Sequence, residues 1–173
     1  MWLADRVRTL GQPNAAWAGD TGEPDPAIRA ALLSAAEATT PQSYLAAVAA
    51  LCTARLLLPV TAAGDESGEG PDPGKHAEMA AVTMTSSSGQ QGVLAFTGLD
   101  ALQSFDRSAR PVPCTLDTVA ATAHQLGAGA IVIDVAGPHH LVIDDALIGP
   151  LAQGHRLVAV DDGWGWLSVQ PEH

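Results

Sequence analysis

The run Val93-Leu94-Ala95-Phe96-Thr97-Gly98-Leu99-Asp100-Ala101-Leu102-Gln103-Ser104-Phe105 restricts the fold more than any other part of the chain. Val93 to Phe96 is apolar, β-favouring and too short for a helix, so it reads as a buried strand. It passes at once into a helical pattern, because Leu99, Leu102 and Phe105 share one helical face. Thr97 followed by Asp100 has the form of a capping box, which predicts Thr97 as the N-cap and puts Asp100 near the positive helix start. Phe96 and Ala101 then stand where a weak hydrophobic staple would. The unit carries no obvious reactive group. A buried strand feeding a helix points to a mixed α/β domain: a sheet of about five or six strands with helices packed on it.

The remaining segments fit that frame. Residues 1–25 form an extended N-terminal segment, with Leu3, Val7 and Leu10 on one helical face and Trp17 tacking it to the body. Asp25-Pro26 and Thr40-Pro41 are helix starts, each an N-cap followed by proline. Ile28, Ala31, Leu32 and Ala35 line the first helix, and Tyr44, Leu45, Val48 and Leu51 the second, giving a helical hairpin. Arg55 to Ala63 reads as a strand, which Pro59 assigns to an edge or a bulge. Gly64 to His76 is a Gly/Pro/acidic surface loop. Glu78 to Thr85 is the next strand, and Ser88-Gly89 turns it into the central unit. Arg110 to Thr115, with Pro111 and Pro113, is an edge segment. Thr115 caps a helix from Leu116 to Leu126 that Gly127 ends. Ala130 to Val135 is almost wholly apolar and predicts a central strand covered on both faces. Gly137-Pro138 turns the chain, His140 to Ile143 is a short strand, and Asp144 or Asp145 opens a last helix interrupted or restarted at Pro150. Arg156 to Val160, Asp161-Asp162-Gly163 and Trp164 to Val169 form a C-terminal β-hairpin. The expected organisation is one domain, 1–173, with a core over 26–154 and the hairpin in 155–173.

Composition narrows the function. The 173 residues are 47% hydrophobic and carry a formal charge of −11. That charge excludes a nucleic-acid partner, which needs clustered Lys and Arg, and an anionic membrane surface. No apolar run approaches the roughly 18 residues of a membrane span. Asp5, Arg6 and Arg8 break any signal-peptide pattern, so the cytoplasm is expected. Cys52 and Cys114 lie apart in apolar surroundings and read as buried free thiols.

The motifs with chemical potential are few. Gly68 to Lys75 resembles a phosphate loop but has Glu69 where glycine is required and His76 where Ser or Thr should bind magnesium. Asp65, Glu66, Glu69 and Asp72 lack calcium-loop spacing. His139 and His140, with Asp134, Asp144 and Asp145, are the best metal candidates, yet adjacent histidines on a strand point apart. No metal and no cofactor is therefore expected. His124 reads as helix filler, and Cys114 as an ordinary strand residue rather than a thiol activated by a helix start. In an α/β sheet a ligand would sit beyond the carboxyl ends of the strands. That places Thr97, Gly98, Asp134 and His139 as the ligand-binding candidates. The Thr97-Gly98 amides would meet a carboxylate, Asp134 an ammonium group, and His139 would close the rim. The competing reading has Thr97 capping its helix and Asp134 satisfying a neighbouring loop. Trp164 and Trp166 share one strand face and should be buried, either in the core or in an interface.

Several stretches together resemble the SseB family, in its actinobacterial single-domain form. They are Pro13 to Gly22, Arg55 to Val60, Glu78-Met79, Leu94 to Thr97 with Leu99 to Leu102, Arg110 to Pro113, and Ile131 to Pro138. The resemblance covers roughly Pro13 to Gly154 and excludes the double-tryptophan tail; the C-terminal domain of longer members has no counterpart here. It implies a cytoplasmic bacterial domain linked to serine tolerance, with no catalytic residues to transfer. The expected function is a non-catalytic binding or regulatory protein whose partner is a small metabolite or another protein. The alternatives are a small-molecule enzyme using Thr97, Asp134 and His139, and an interaction module or homodimer using the Trp164/Trp166 hairpin.

Overall fold

The computed structural model describes residues 15–62 and 79–168. The Leu3/Val7/Leu10 face, the loop between Gly64 and His76, and Val169 lie outside them. Local caps start the first two helices as the sequence predicts. Asp25 accepts the Ala27 N–H at 2.9 Å to open α1 (Pro26–Ala38), and Thr40 forms a reciprocal capping box with Ser43 to open α2 (Pro41–Leu51). Each has proline in its first turn. The two pair as a hairpin that buries Ile28, Leu32, Val48 and Leu51.

The strands form three sheets among the described residues. β1 (Leu56–Ala62) lies between β2 (Met79–Ala81) and β5 (Arg110–Cys114), antiparallel to both. A second sheet runs β3 (Thr83–Thr85), β4 (Gln91–Ala95), β6 (Ala130–Ile133), β7 (Leu141–Asp144), in that spatial order. Its β4–β6 pair is parallel, and its other pairs are antiparallel. β8 (His155–Val160) and β9 (Gly163–Ser168) make the C-terminal hairpin. The first two sheets are continuous. Leu57 and Phe96 exchange backbone hydrogen bonds of 2.7 and 2.9 Å, and beyond them β1 and β4 splay. Val82 fills the opening: its N–H donates to the Pro59 carbonyl, and its own carbonyl accepts the Leu94 N–H. The segment expected as one strand from Glu78 to Thr85 is thus bent at Val82, so that β2 pairs with β1 and β3 with β4.

Pro59 corrects a prediction, since it lies in a central strand rather than at an edge. It faces Pro111 across β5, and Leu57 faces Pro113. Antiparallel pairs alternate between hydrogen-bonded and non-bonded positions. A Pro–Pro pair has no N–H to exchange, so positions 57 and 59 are non-bonded towards β5 and turn their backbone groups towards Phe96 and Val82. All three prolines occupy rungs where β1 and β5 need no donor. β5, as expected, is at an edge, and β6 is central.

Side chains alternate across the sheet. Leu56, Leu58, Val60, Val93, Ala95, Ile131 and Ile133 face the larger core, which α1, α2, α4 (Leu116–Leu126) and α5 (Asp145–Ala152) cover. Leu57, Leu94 and Phe96 face a smaller core beneath the short helix Leu99–Phe105, α3. Gly127, at φ +66°, ends α4. Pro150 lies inside α5, which continues to Ala152 rather than breaking.

Candidate functional site

β4 and β6 run parallel, so their carboxyl ends emerge side by side. β4 leads through Phe96 to Thr97, and β6 leads directly to Asp134. Asp134 turns the chain at φ +52°, a left-handed conformation that aspartate tolerates better than most residues. Its carbonyl accepts the Gly137 N–H at 2.8 Å, and a Cβ on Gly137 would lie 3.1 Å from that of Asp134. The tight turn aims the Asp134 carboxylate across to Thr97.

There the two residues bond to each other. The Thr97 N–H donates to Asp134 Oδ1 at 2.7 Å, and the Thr97 hydroxyl donates to Oδ2 at 2.5 Å. The hydroxyl in turn accepts Arg29 Nε–H at 2.7 Å, and Nε stands 3.5 Å from Asp134 Oδ2. Both Thr97 hydrogens point at the Asp134 carboxyl oxygens. Thr97 is 2% and Asp134 1% exposed. Burial pushes the Asp134 carboxyl above its ordinary pKa, while the Thr97 bonds and Arg29 pull it down.

Two arginines tie this pair to the rest of the molecule. Arg29, from α1, grips Asp100 with both terminal nitrogens, at 3.2 and 2.7 Å. That bond holds the Asp100 carboxyl below its usual range. Arg55, just before β1, donates to the Thr97 carbonyl at 3.0 Å and to the Glu23 carbonyl at 2.5 Å, and pairs with Asp20 at 2.8 Å. Asp20 also accepts the Gly22 N–H, and the Gly22 carbonyl accepts the Leu99 N–H at 2.7 Å. Gly22 has φ +78° and lies so close to Leu99 that an added Cβ would sit 2.9 Å from the leucine Cβ. Segment 20–24 therefore closes over the strand ends.

The sequence-predicted residues thus divide. Thr97 and Asp134 converge, with every hydrogen-bonding atom of the pair turned to the protein. Thr97 is not the N-cap of α3: Gly98 holds that position, without a side-chain cap, because the Thr97 hydroxyl is drawn to Asp134. The frame is one residue later than the Thr97/Asp100 spacing suggests, which also dissolves the Phe96/Ala101 staple, although both side chains are buried in the smaller core. A Cβ on Gly98 would meet Asp100 Oδ1 at 2.6 Å and Pro24 Cβ at 2.9 Å, so the helix start is filled. His139 is half-buried in the turn after β6, and none of the cluster's hydrogen bonds or ion pairs among the described residues involves it.

Arg29, Arg55 and Asp20 were not legible as partners of this cluster. The available signal was scarcity: eight Lys and Arg serve nineteen Asp and Glu, so an arginine on an otherwise alanine-rich helix face is a candidate for a structural pair.

Among the described residues no group of three His, Cys, Asp or Glu is placed to hold a metal, and no helix is long and apolar enough to cross a membrane. Cys52 and Cys114 are free and buried. Burial pushes the Cys114 thiol up to about 12, the reverse of an activated thiolate. Trp164 is half-buried and packs against the larger core, whereas Trp166 is 39% exposed, so burial of both tryptophans does not hold within this chain.

A family model for the SseB protein N-terminal domain matches residues 28–149. The chain belongs to the SseB family. No curated protein and no solved structure matches it. The matched SseB region contains Arg29, Arg55, Thr97, Asp100 and Asp134, the inner part of the cluster. Asp20, Glu23 and the β8–β9 hairpin lie outside it.

Proposed function

We propose that this SseB-family domain is a non-catalytic binding or regulatory protein of the cytoplasm, within the amino-acid tolerance role that the family resemblance implies. The observation that carries this reading is the closure of the Thr97–Asp134 pair. A catalytic base needs a free lone pair within reach of a substrate. Both Asp134 oxygens accept bonds from Thr97, and the site is covered by α1 and segment 20–24. Thr97 as a nucleophile fails for the same reason, since its hydroxyl already donates to Asp134 and accepts from Arg29. The polar groups at the strand ends act as a clasp among distant segments, which leaves the rest of the surface for recognition.

The test is a metabolite mixture incubated with the purified protein and followed by proton NMR. Ligands should show saturation transfer without any change in their covalent structure. Turnover that disappears in His139→Ala would establish the enzyme reading instead.

A second reading rests on the hairpin. Val160, Trp166 and Leu167 are 52%, 39% and 50% exposed on the β8–β9 hairpin, Val160 and Leu167 on one face and Trp166 on the other. Exposed aromatic and aliphatic side chains on a two-stranded ribbon suit an interaction module or homodimer contact. If this ribbon joins two copies, Trp166→Ala should lower the sedimentation coefficient at a fixed protein concentration. Identical coefficients for the two proteins would remove the homodimer.

A further inference from the structure

A cavity of about 290 Å³ opens away from the clasp, where four elements meet. Cys52 at the end of α2, Leu116 at the start of α4 and Leu151 in α5 are buried and form its floor. Asp117, Gln153, His155 and Arg156 form its polar wall. Asp117 and Arg156 carry opposite charges, yet they form no ion pair with each other. Neither side chain has a hydrogen-bond partner among the described residues. The Cys52 thiol accepts the Leu157 N–H at 3.5 Å and is held above its ordinary pKa by burial, so it serves as a soft apolar floor rather than a nucleophile.

Two unpaired opposite charges on one cavity wall form a complementary field for a molecule that carries both signs itself. The volume is near the lower end of small-molecule sites, about 300–1,000 Å³, which suits a metabolite of amino-acid size. We propose that this cavity binds a small zwitterion, with its cationic group against Asp117 and its anionic group against Arg156. Gln153 and His155 complete the polar rim, and Leu116, Leu151 and Cys52 receive the apolar part. The proposal rests on the binding reading given above and locates it. Cys52, Leu116 and Asp117 lie inside the matched SseB region, and Leu151 to Arg156 lie outside it, so the site joins the two parts of the chain.

Calorimetry on the full chain with the free L-amino acids, titrated one at a time, tests it. At least one should bind. Its methyl ester, which lacks the anion, and its N-acetyl form, which lacks the cation, should each bind about tenfold or more weakly, the scale of one charge-assisted contact. Asp117→Asn and Arg156→Gln should show similar losses while keeping the wild-type thermal midpoint, because both side chains are exposed. Absence of binding by every amino acid, or equal affinity in wild type and both variants, overturns the site. Amide chemical shifts in the same samples separate the two proposals. Binding that perturbs a different surface removes this cavity and leaves the binding reading intact. Conversion of an amino acid, with perturbations confined to the cavity, supports the site and removes the non-catalytic reading.

Discussion

Asp134→Ala should lower the free energy of unfolding by roughly 3–5 kcal/mol, the cost of removing one partner from a buried charged network. Total stability of a domain is commonly about 5–15 kcal/mol, so this is a large fraction of it. The substitution leaves the Thr97 N–H and hydroxyl without acceptors in a site where Thr97 is 2% exposed, and it turns Arg29 towards an empty position. Alanine is also less suited than aspartate to φ +52°. Urea denaturation gives the measurement. A loss below about 1 kcal/mol, the worth of a single ordinary hydrogen bond, would show that the clasp is not a stabilising unit. Asp134→Asn should cost less, because asparagine tolerates the same backbone conformation and keeps one acceptor for the Thr97 N–H.

The pH dependence of wild type against Asp134→Asn follows from the direction of the Asp134 shift. Burial raises its folded pKa, so the folded chain keeps the proton to higher pH than the unfolded chain, whose aspartates titrate near about 3.9. The stability due to that proton is complete below the unfolded value and is lost as pH rises through the folded one. The amide of the Asp134→Asn variant does not titrate, so the advantage of wild type over that variant should narrow as pH rises out of the acid range. Asp100 works the other way: its lowered carboxyl stabilises above the unfolded value and is lost as pH falls through the folded one, in both proteins alike.

Phe96→Ala should cost about 3–5 kcal/mol for a different reason, the cavity left by a buried aromatic side chain. Phe96 is fully buried and is the largest side chain of the smaller core, with its ring centroid 5.7 Å from that of Phe105. That core seats α3 on the sheet, with Leu57, Leu94, Ala101, Leu102 and Ala109 as its other buried members among the described residues. The same residue carries the backbone bridge to Leu57 that joins the two sheets. At about 2–4 °C per kcal/mol for a chain of this size, the thermal midpoint should fall by roughly 6–20 °C. Phe105→Ala, at a half-buried position, should shift it less. Equal shifts for the two variants would argue that the smaller core is loosely packed and that Phe96 is not its anchor.

Residues whose structure depends on near neighbours were legible in the sequence. Asp25-Pro26 and Thr40-Pro41 start helices because a cap acts on amides two or three positions away, and Gly127 ends one because its own φ decides the matter. The apolar run from Ala130 placed β6 at the centre of its sheet, since only a strand covered on both faces can carry that pattern. The Asp161-Asp162-Gly163 turn and the Ser88-Gly89 loop were equally local. Tertiary structure decided the rest. Thr97 had a suitable partner three residues away and took one 37 residues away, because the left-handed turn at Asp134 delivers a carboxylate to it. Pro59 could enter a central strand only because Pro111 and Pro113 fall on matching non-bonded rungs and Val82 bends into the splay. That alignment exists only once the register is set. Arg29 and Arg55 reach Thr97 across 68 and 42 residues. No spacing rule spans such distances: a side chain's local options are written in its neighbours, but the choice among them is made by whichever distant group arrives within hydrogen-bonding reach.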